Sequence, residues 1–140
     1  MTDAPLVMLV DDDPADVELT LQAMSDLNRV VHVVTARDGI EALDYLRESR
    51  SRNPNLILLD LNMPRKDGRE LLREIKTDQR LADIPVVIHS TSTAPADVSD
   101  AYRLRANSYV SKAAELDSIQ QTLGSVLSFW LETARLPDSR

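Results

Sequence analysis

The apolar residues of this chain fall into five short runs, separated by longer segments that mix apolar and polar positions. The first four runs are nearly continuous rather than alternating, which is typical of strands covered on both faces in a parallel sheet. The runs cover residues 6–10, 30–34, 56–59, 86–88 and 109–110. The pattern therefore predicts five strands, most of them buried.

Each segment between the runs carries residues at the spacing of one helical face, so we expect five helices. The first begins after Asp13, a typical capping residue, with Pro14 at the first helical position and Asp16 three residues beyond the cap. The expected faces of the five helices, in chain order, are Val17, Leu21 and Met24; Ile40, Leu43 and Leu46; Leu71, Leu72 and Ile75; Val98, Tyr102 and Arg105; and Ile119, Leu123, Val126, Leu127 and Trp130.

Strict alternation of strand and helix predicts an α/β fold with helices on both faces of a parallel sheet. Right-handed crossovers leave few topologies, and we expect a flavodoxin-like (βα)5 doubly wound sheet with strand order 2-1-3-4-5. The chain has 140 residues and is 43% hydrophobic, enough for one domain with a proper core. We therefore expect a single domain over residues 1–140, with residues from about 134 to 140 forming a C-terminal tail.

Charge and composition exclude several classes of function. The net charge of −7 argues against a nucleic-acid surface and against anionic membranes, which attract basic proteins. The absence of cysteine excludes disulfides and zinc–thiolate sites. No apolar run is long enough to span a membrane, and the first residues lack a secretory signal pattern. We expect a cytoplasmic protein.

Polar side chains follow four of the predicted strands at the point where each strand ends. In open α/β sheets, ligands bind beyond the carboxyl ends of the strands, so these side chains are expected to share one shallow pocket. They are Asp11, Asp12 and Asp13 after the first strand, Asp60 after the third, Ser90 after the fourth and Lys112 after the fifth.

The composition of this pocket points to phosphoryl chemistry. A group of carboxylates suits Mg²⁺, which prefers hard oxygen ligands and keeps several waters. The metal and the ammonium of Lys112 would neutralise a phosphoryl group, and a hydroxyl could bind one of its oxygens. Carboxylates can form aspartyl phosphates, and Asp60 is the best candidate because it stands alone on a central strand.

These residues resemble the receiver domain of two-component response regulators. Residues 10–13 (VDDD) resemble its acidic pair, residues 60–68 (DLNMPRKDG) its phosphoacceptor loop, and residues 106–112 (ANSYVSK) the strand that delivers its lysine. Ser90 lies 30 residues after Asp60 and 22 before Lys112, which matches the usual spacing. Residues 13–16, residues 89–92 and the pair 129–130 further resemble stand-alone regulators that partner phytochrome-type histidine kinases.

The resemblance implies a Mg²⁺ site with four contributors. Asp12 and Asp60 would bind the ion directly, Asn62 would add its backbone carbonyl, and Asp11 would act through a water molecule. The partner implied is a sensor histidine kinase, and the narrower resemblance implies one of the phytochrome type, with neither nucleic acid nor membrane involved.

The resemblance also implies how the phosphoryl group is handled. Asp60 would become the acyl phosphate, Lys112 would pair with it, and Ser90 would move towards a phosphoryl oxygen. Tyr109 would then change rotamer as the second part of the switch. The family usually has a cis proline after the lysine, whereas this chain has Ala113, which leaves the reach of Lys112 open.

Three other functions compete with a phosphoacceptor switch. A Mg²⁺-dependent aspartyl-phosphate phosphohydrolase would carry a second acid two residues after the nucleophile, but that position is Asn62. A flavin or nucleotide carrier would need a glycine-rich loop after the first strand, and the chain has only three glycines. A pseudo-receiver acting only as a binding module remains open. We expect no separate enzymatic activity beyond slow self-dephosphorylation.

Three bulky residues in a row, Phe129, Trp130 and Leu131, end the last predicted helix. One helix face cannot bury all three, so we expect the helix to be apolar on more than its core stripe. This predicts a homodimer through the C-terminal helix and tail, with a tail folded back on its own domain as the alternative.

Overall fold

The structure is a computed structural model that describes residues 4–48, 52–63, 67–113 and 115–137 of the chain. The strands are β1 (Leu6–Val10), β2 (His32–Ala36), β3 (Leu56–Leu59), β4 (Val86–Ser90) and β5 (Ser108–Ser111). The helices are α1 (Pro14–Ser25), α2 (Gly39–Arg47), α3 (Gly68–Thr77), α4 (Pro95–Arg103) and α5 (Leu116–Ser128), and a π-helical turn follows at Phe129–Thr133.

The five strands form one parallel sheet in the order β2-β1-β3-β4-β5. This confirms the flavodoxin-like α/β fold predicted from the alternation of elements. The order places β1 and β3 at the centre, where both are fully buried. Their continuous apolar sequences follow from this position, because each strand is covered by helices on both faces.

Two hydrophobic clusters cover the two faces of the sheet. On one face, Met8 and Ile57 pack with the buried residues of α2 and α3 and with Ala101 of α4. On the other face, Val7 and Leu58 pack with the buried residues of α1 and α5. Asp11 and Asp60 directly follow β1 and β3, and Ser90 is the last residue of β4, so the three lie at the carboxyl edge of the sheet.

The second strand lies two residues later than predicted, at His32–Ala36 instead of 30–34. Its pairing with β1 runs from Leu6 opposite His32 to Val10 opposite Ala36, and Val30 is left 77% exposed. Because β2 is an edge strand with one neighbour, apolar content alone does not fix its register, and this part of the prediction is wrong.

Two predicted helix faces also need correction. In α4 the buried residue is Ala101, whereas Tyr102 is 49% exposed and Arg105 lies beyond the helix with φ 74°. In α2, Ile40 is 40% exposed although Leu43 and Leu46 are buried as expected. Both helices are short, so a few apolar residues define their faces poorly.

The C-terminal helix packs against α1 and continues into the π turn. Ile119, Leu123 and Leu127 are buried, as the helical spacing predicts. Trp130 and Leu131 are partly buried against the same cluster, whereas Phe129 is 50% exposed. The predicted interface residues are thus divided between the core of this domain and its surface.

No helix in the described part of the chain is both long and apolar enough to cross a membrane.

Candidate functional site

Three carboxylates meet at the carboxyl edge of the central strands. Asp11, Asp12 and Asp60 each place an oxygen within 4.8 Å of the others. The ladder continues past the strand ends, because the N–H of Asp11 donates to Ala36 O and that of Asp60 to Val10 O. Regular backbone pairing therefore fixes where two of these side chains begin.

The Asp11 carboxylate is buried and hydrogen-bonded at both oxygens. Its Oδ1 accepts from the backbone N–H of Asp13 at 3.0 Å, and its Oδ2 accepts from Lys112 Nζ at 2.7 Å. The side chain is only 1% exposed, so these partners replace the water that a buried charge requires. An oxygen already bound to the lysine is poorly placed to bind a metal directly.

Lys112 reaches the pocket as predicted, but it contacts more carboxylates than expected. Its ammonium lies 2.7 Å from Asp11 Oδ2, 3.2 Å from Asp16 Oδ2 and 3.5 Å from Asp60 Oδ2, and its side chain is 5% exposed. Its backbone N–H donates to Ser90 O at 2.7 Å, which ties the end of β5 to β4. No peptide bond among the described residues is cis, so the Lys112–Ala113 peptide is trans. The Lys112 ammonium reaches the pocket with this backbone geometry.

Burial raises the pKa of the Asp60 carboxyl above its ordinary value of 3.8. The charge of Lys112 and the hydrogen bond from the Asn62 N–H lower this pKa, and the charge of Asp11 raises it further. Lys112 lies beside three carboxylates and is closest to Asp11. Its charge therefore does not cancel the rise in the Asp60 pKa that burial causes. The site thus holds Asp60 at a cost, which is typical of a residue retained for chemistry.

The Lys112 ammonium responds in the opposite sense to its surroundings. Burial lowers its pKa, but the hydrogen bond to Asp11 and the charges of Asp60, Asp11 and Asp16 raise it above 10.5 overall. Lys112 is therefore a permanent cation in the pocket at neutral pH.

The loop after Asp60 is fixed at both ends. The N–H of Asn62 donates to Asp60 Oδ1 at 3.2 Å, and the N–H of Gly68 donates to Leu61 O at 3.0 Å. Asp67 then caps α3 by accepting from the N–H of Glu70. Residues 64–66 of the predicted phosphoacceptor loop lie outside the described residues.

Ser90 and Tyr109, the predicted switch residues, meet through the loop after β4. Ser90 is fully buried, and its Oγ accepts from the N–H of Ser92. The Tyr109 hydroxyl donates to Ser92 O at 2.8 Å. Ser92 Oγ in turn donates to Asp97 Oδ2, and Arg69 of α3 pairs with Asp97 at 2.6 Å. The structure thus joins the two switch residues through Ser92.

His89 is buried on the same face of β4 as Val87, which lies in the α1–α5 cluster. Neither ring nitrogen has a hydrogen-bond partner among the residues that the structure describes. Burial, aided by the charge of Lys112, lowers the pKa of His89 to about 4, so the ring is neutral at physiological pH. A catalytic role is not supported, because no polar group in the described chain receives or supplies a proton at the ring.

Sequence reasoning missed three members of this constellation. Asp16 was expected to complete a capping box, yet the Asp13 N–H is taken by Asp11 and Asp16 binds Lys112 instead. The only signal was one more acid a helical turn into α1. Nothing in the sequence indicated that Arg69 pairs with Asp97, because their contact joins α3 to α4 across 28 residues.

The donor set fits a hard divalent cation. Carboxylate oxygens are preferred by Mg²⁺ and Ca²⁺ over nitrogen or sulfur ligands, and the three carboxylates could together hold one such ion. Bringing two or three like charges this close is unfavourable without a counter-charge, and Lys112 supplies only one.

Comparisons with known proteins agree with this geometry. Residues 7–124 match the family described as response regulator receiver domain. The response regulator Rcp1 of Synechocystis sp. is 40% identical over 136 residues, which cover 94% of this chain and 92% of Rcp1. The crystal structure of the phosphorylated cyanobacterial phytochrome response regulator RcpA superposes with a TM-score of 0.91 at 44% identity, covering 97% of this chain and all of RcpA. The Mn²⁺-bound form of Rcp1 gives a TM-score of 0.86 at 39% identity, covering 96% of this chain and 99% of Rcp1.

One assignment follows from the fold, from the residues at the strand ends and from the similarity to response regulators over most of the chain. The chain belongs to the family of response regulator receiver domains.

Proposed function

We propose that this receiver takes a phosphoryl group from a histidine kinase onto Asp60 and signals by the resulting change in conformation. The observation that carries the proposal is the Asp60 carboxylate itself. It lies within 4.8 Å of two further carboxylates and 3.5 Å from the Lys112 ammonium. Holding these like charges close together is unfavourable, which is typical of residues retained for chemistry. The nearby Lys112 ammonium can bind an oxygen of an incoming phosphoryl group.

In the proposed transfer, an Asp60 oxygen forms a bond to phosphorus as the bond between phosphorus and the kinase histidine nitrogen breaks. The leaving nitrogen keeps the electron pair. Lys112 is a cation that a phosphoryl oxygen beside Asp60 can reach with little movement. A bound Mg²⁺ would offset the negative charge of the carboxylates and phosphoryl oxygens. The remaining contribution of the protein is to position the groups.

We assign the Mg²⁺ ligands from the resemblance and from the contacts of each side chain. Asp12 and Asp60 would bind directly, and Asn62 would contribute its backbone carbonyl. Asp11 would act through a water molecule, which agrees with its bonds to Lys112 and to the Asp13 N–H. The manganese in the Rcp1 structure supports a divalent ion in this family.

The signal would pass from Ser90 to the loop after β4. If the Ser90 hydroxyl turns towards a phosphoryl oxygen, it gives up the bond that it accepts from Ser92. Ser92 also holds the Tyr109 hydroxyl and Asp97, so both contacts would be altered together. Tyr109 would then change rotamer on the α4–β5–α5 side of the domain.

The resemblance to RcpA supports a phytochrome-type histidine kinase as the partner. We also propose the cytoplasm as the compartment. We propose that the chain is not an enzyme acting on a separate substrate and that it loses its phosphoryl group slowly by unaided hydrolysis. Incubation with such a kinase, phosphorylated beforehand, tests the partner. Label should pass from kinase to receiver with Mg²⁺ but not with EDTA, and persistent label on the kinase alone would refute this partner.

We further propose a homodimer through α5 and the π turn. Phe129 is 50% exposed and stands edge-on to Trp130, with ring centroids 5.0 Å apart. Arg29 fixes this segment by binding Ser128 and Glu132, so the aromatic residue is held outwards on an ordered surface. The alternative is that residues 134–140 cover it within one chain.

Phe129→Ala is expected to raise the dimer dissociation constant at least tenfold, because a central aromatic side chain commonly contributes about 2 kcal/mol or more. Sedimentation velocity over a concentration series measures the change. Ile40→Ala is the matched control, since Ile40 is 40% exposed on α2, which packs on the opposite face of the sheet from α5, and should leave association unchanged. If the wild type sediments as a monomer at every concentration, the dimer proposal is wrong.

A further inference from the structure

Asp16 is a carboxylate at the phosphoacceptor pocket that the metal site does not use. It lies in the first turn of α1, its side chain is 37% exposed, and its Oδ2 accepts from Lys112 Nζ at 3.2 Å. The three clustered carboxylates that could hold a metal do not include it. It also does not cap the helix, because the Asp13 N–H is bound to Asp11.

The contacts of Lys112 define what Asp16 does. An ammonium has three N–H donors. Asp11 takes one at 2.7 Å and Asp16 takes a second at 3.2 Å, while Asp60 is the most distant of the three carboxylates at 3.5 Å. The ammonium is thus drawn towards β1 and α1 and held slightly short of the phosphoacceptor.

Without Asp16, the nearest replacement partner for the freed N–H is the Asp60 carboxylate. A direct Lys112–Asp60 bond would occupy an oxygen that is needed for the divalent ion and for attack on phosphorus. The ammonium is 5% exposed, so water cannot easily take the place of the lost carboxylate.

We propose that Asp16 is a positioning residue that holds Lys112 away from Asp60 until a phosphoryl group arrives. The inference rests on the proposed phosphoacceptor function. It also explains why the Lys112 ammonium has a defined position although the following peptide to Ala113 is trans. The Asp16 carboxylate of α1 holds the end of the Lys112 side chain.

Divalent-ion binding without any phosphodonor tests this role. In Asp16→Ala, the dissociation constant for Mn²⁺, measured from the free-ion electron paramagnetic resonance signal, should rise about tenfold, the loss that corresponds to one hydrogen bond to a charged group. Glu18→Ala is the matched control, because it removes the same charge together with the side chain from an exposed position in the same helix. It should change the constant by about twofold or less, since exposed charges are screened.

A double-mutant cycle separates positioning from simple loss of charge. In a Lys112→Ala background, Asp16→Ala should have no larger effect than Glu18→Ala, because there is no ammonium left to hold. An equal tenfold weakening in both backgrounds would show that Asp16 acts on the metal directly and would overturn the proposal. So would an unchanged constant in Asp16→Ala itself.

A crystal structure of metal-free Asp16→Ala gives a second readout that does not depend on metal binding or phosphorylation. The distance from Lys112 Nζ to Asp60 Oδ2 should shorten from 3.5 Å to about 2.8 Å, the usual length of an ammonium–carboxylate hydrogen bond. An ammonium that stays in place would refute the positioning role even if the variant binds Mn²⁺ weakly. Failure of the wild type to bind Mn²⁺ or accept a phosphoryl group would instead refute the proposed function, and this distance would still decide the role of Asp16.

Discussion

Asp60→Asn should abolish phosphorylation while making the protein more stable. An amide oxygen is a poor nucleophile, and Asp11, the other cluster carboxylate beside Lys112, is only 1% exposed and hydrogen-bonded at both oxygens, so it is not expected to replace Asp60. Acetyl phosphate with Mg²⁺ should therefore label the wild type and leave the variant unlabelled. Asp44→Asn, an exposed change on α2, should label like the wild type. Retained labelling of Asp60→Asn would refute the assignment.

The gain in stability has a pH dependence of defined sign. Because the folded-state pKa of Asp60 is raised, the folded protein holds this proton more tightly than the unfolded chain. The wild type therefore loses stability as the pH rises through the folded-state pKa, and the variant does not. In EDTA, the difference in free energy of unfolding should be near zero below pH 3.8 and should favour the variant at neutral pH. A variant less stable than the wild type at pH 7 would contradict the electrostatic account of Asp60.

Gly68→Ala should destabilise the fold and disturb the phosphoacceptor loop. A Cβ at position 68 would lie 2.4 Å from the Asp60 carbonyl oxygen and 2.5 Å from Leu61 Cα, distances at which the backbone must move. Overpacking of this kind costs about 1–3 kcal/mol. The strain falls on the residue that carries the phosphoryl group, so the rate of labelling by acetyl phosphate should also fall. Urea unfolding and labelling kinetics measure both effects.

Gly124→Ala is the matched control within the same chain. It lies inside α5, where a Cβ would meet Leu27 Cδ2 at an ordinary 3.7 Å. Replacing glycine by alanine in a helix interior stabilises by about 1 kcal/mol. The two substitutions should thus shift the urea midpoint in opposite directions, and equal shifts would contradict the steric explanation of Gly68.

The fold could be predicted because its strongest signals are local. β1 and β3 read as continuous apolar runs since both of their faces are covered, and Asp13 and Pro14 mark the start of α1. The strand-end positions of Asp11, Asp60 and Lys112 then followed from the parallel topology, because one sheet edge collects every carboxyl end.

The prediction was less accurate where burial is one-sided or contacts are distant. The register of β2 depends on pairing with β1 alone, and the face of α4 is defined by one small buried residue, Ala101. Periodicity carries little information in either case.

Side-chain partners at the site were the least predictable feature. Asp16 was assigned to the helix cap because acids three residues after a cap often serve there, yet Asp11 had already taken the Asp13 N–H. Its bond to Lys112 joins residues 96 positions apart, and no local pattern reports such a contact.

The most direct test is to map the phosphoryl group on the wild-type chain. The protein is treated with acetyl phosphate in Mg²⁺ or in EDTA, reduced with borohydride to convert any aspartyl phosphate to homoserine, and digested for mass spectrometry. We predict homoserine at position 60 alone, and only in the sample that contained Mg²⁺. An unmodified protein, modification at another aspartate, or equal modification in EDTA would contradict a magnesium-dependent phosphoacceptor at Asp60.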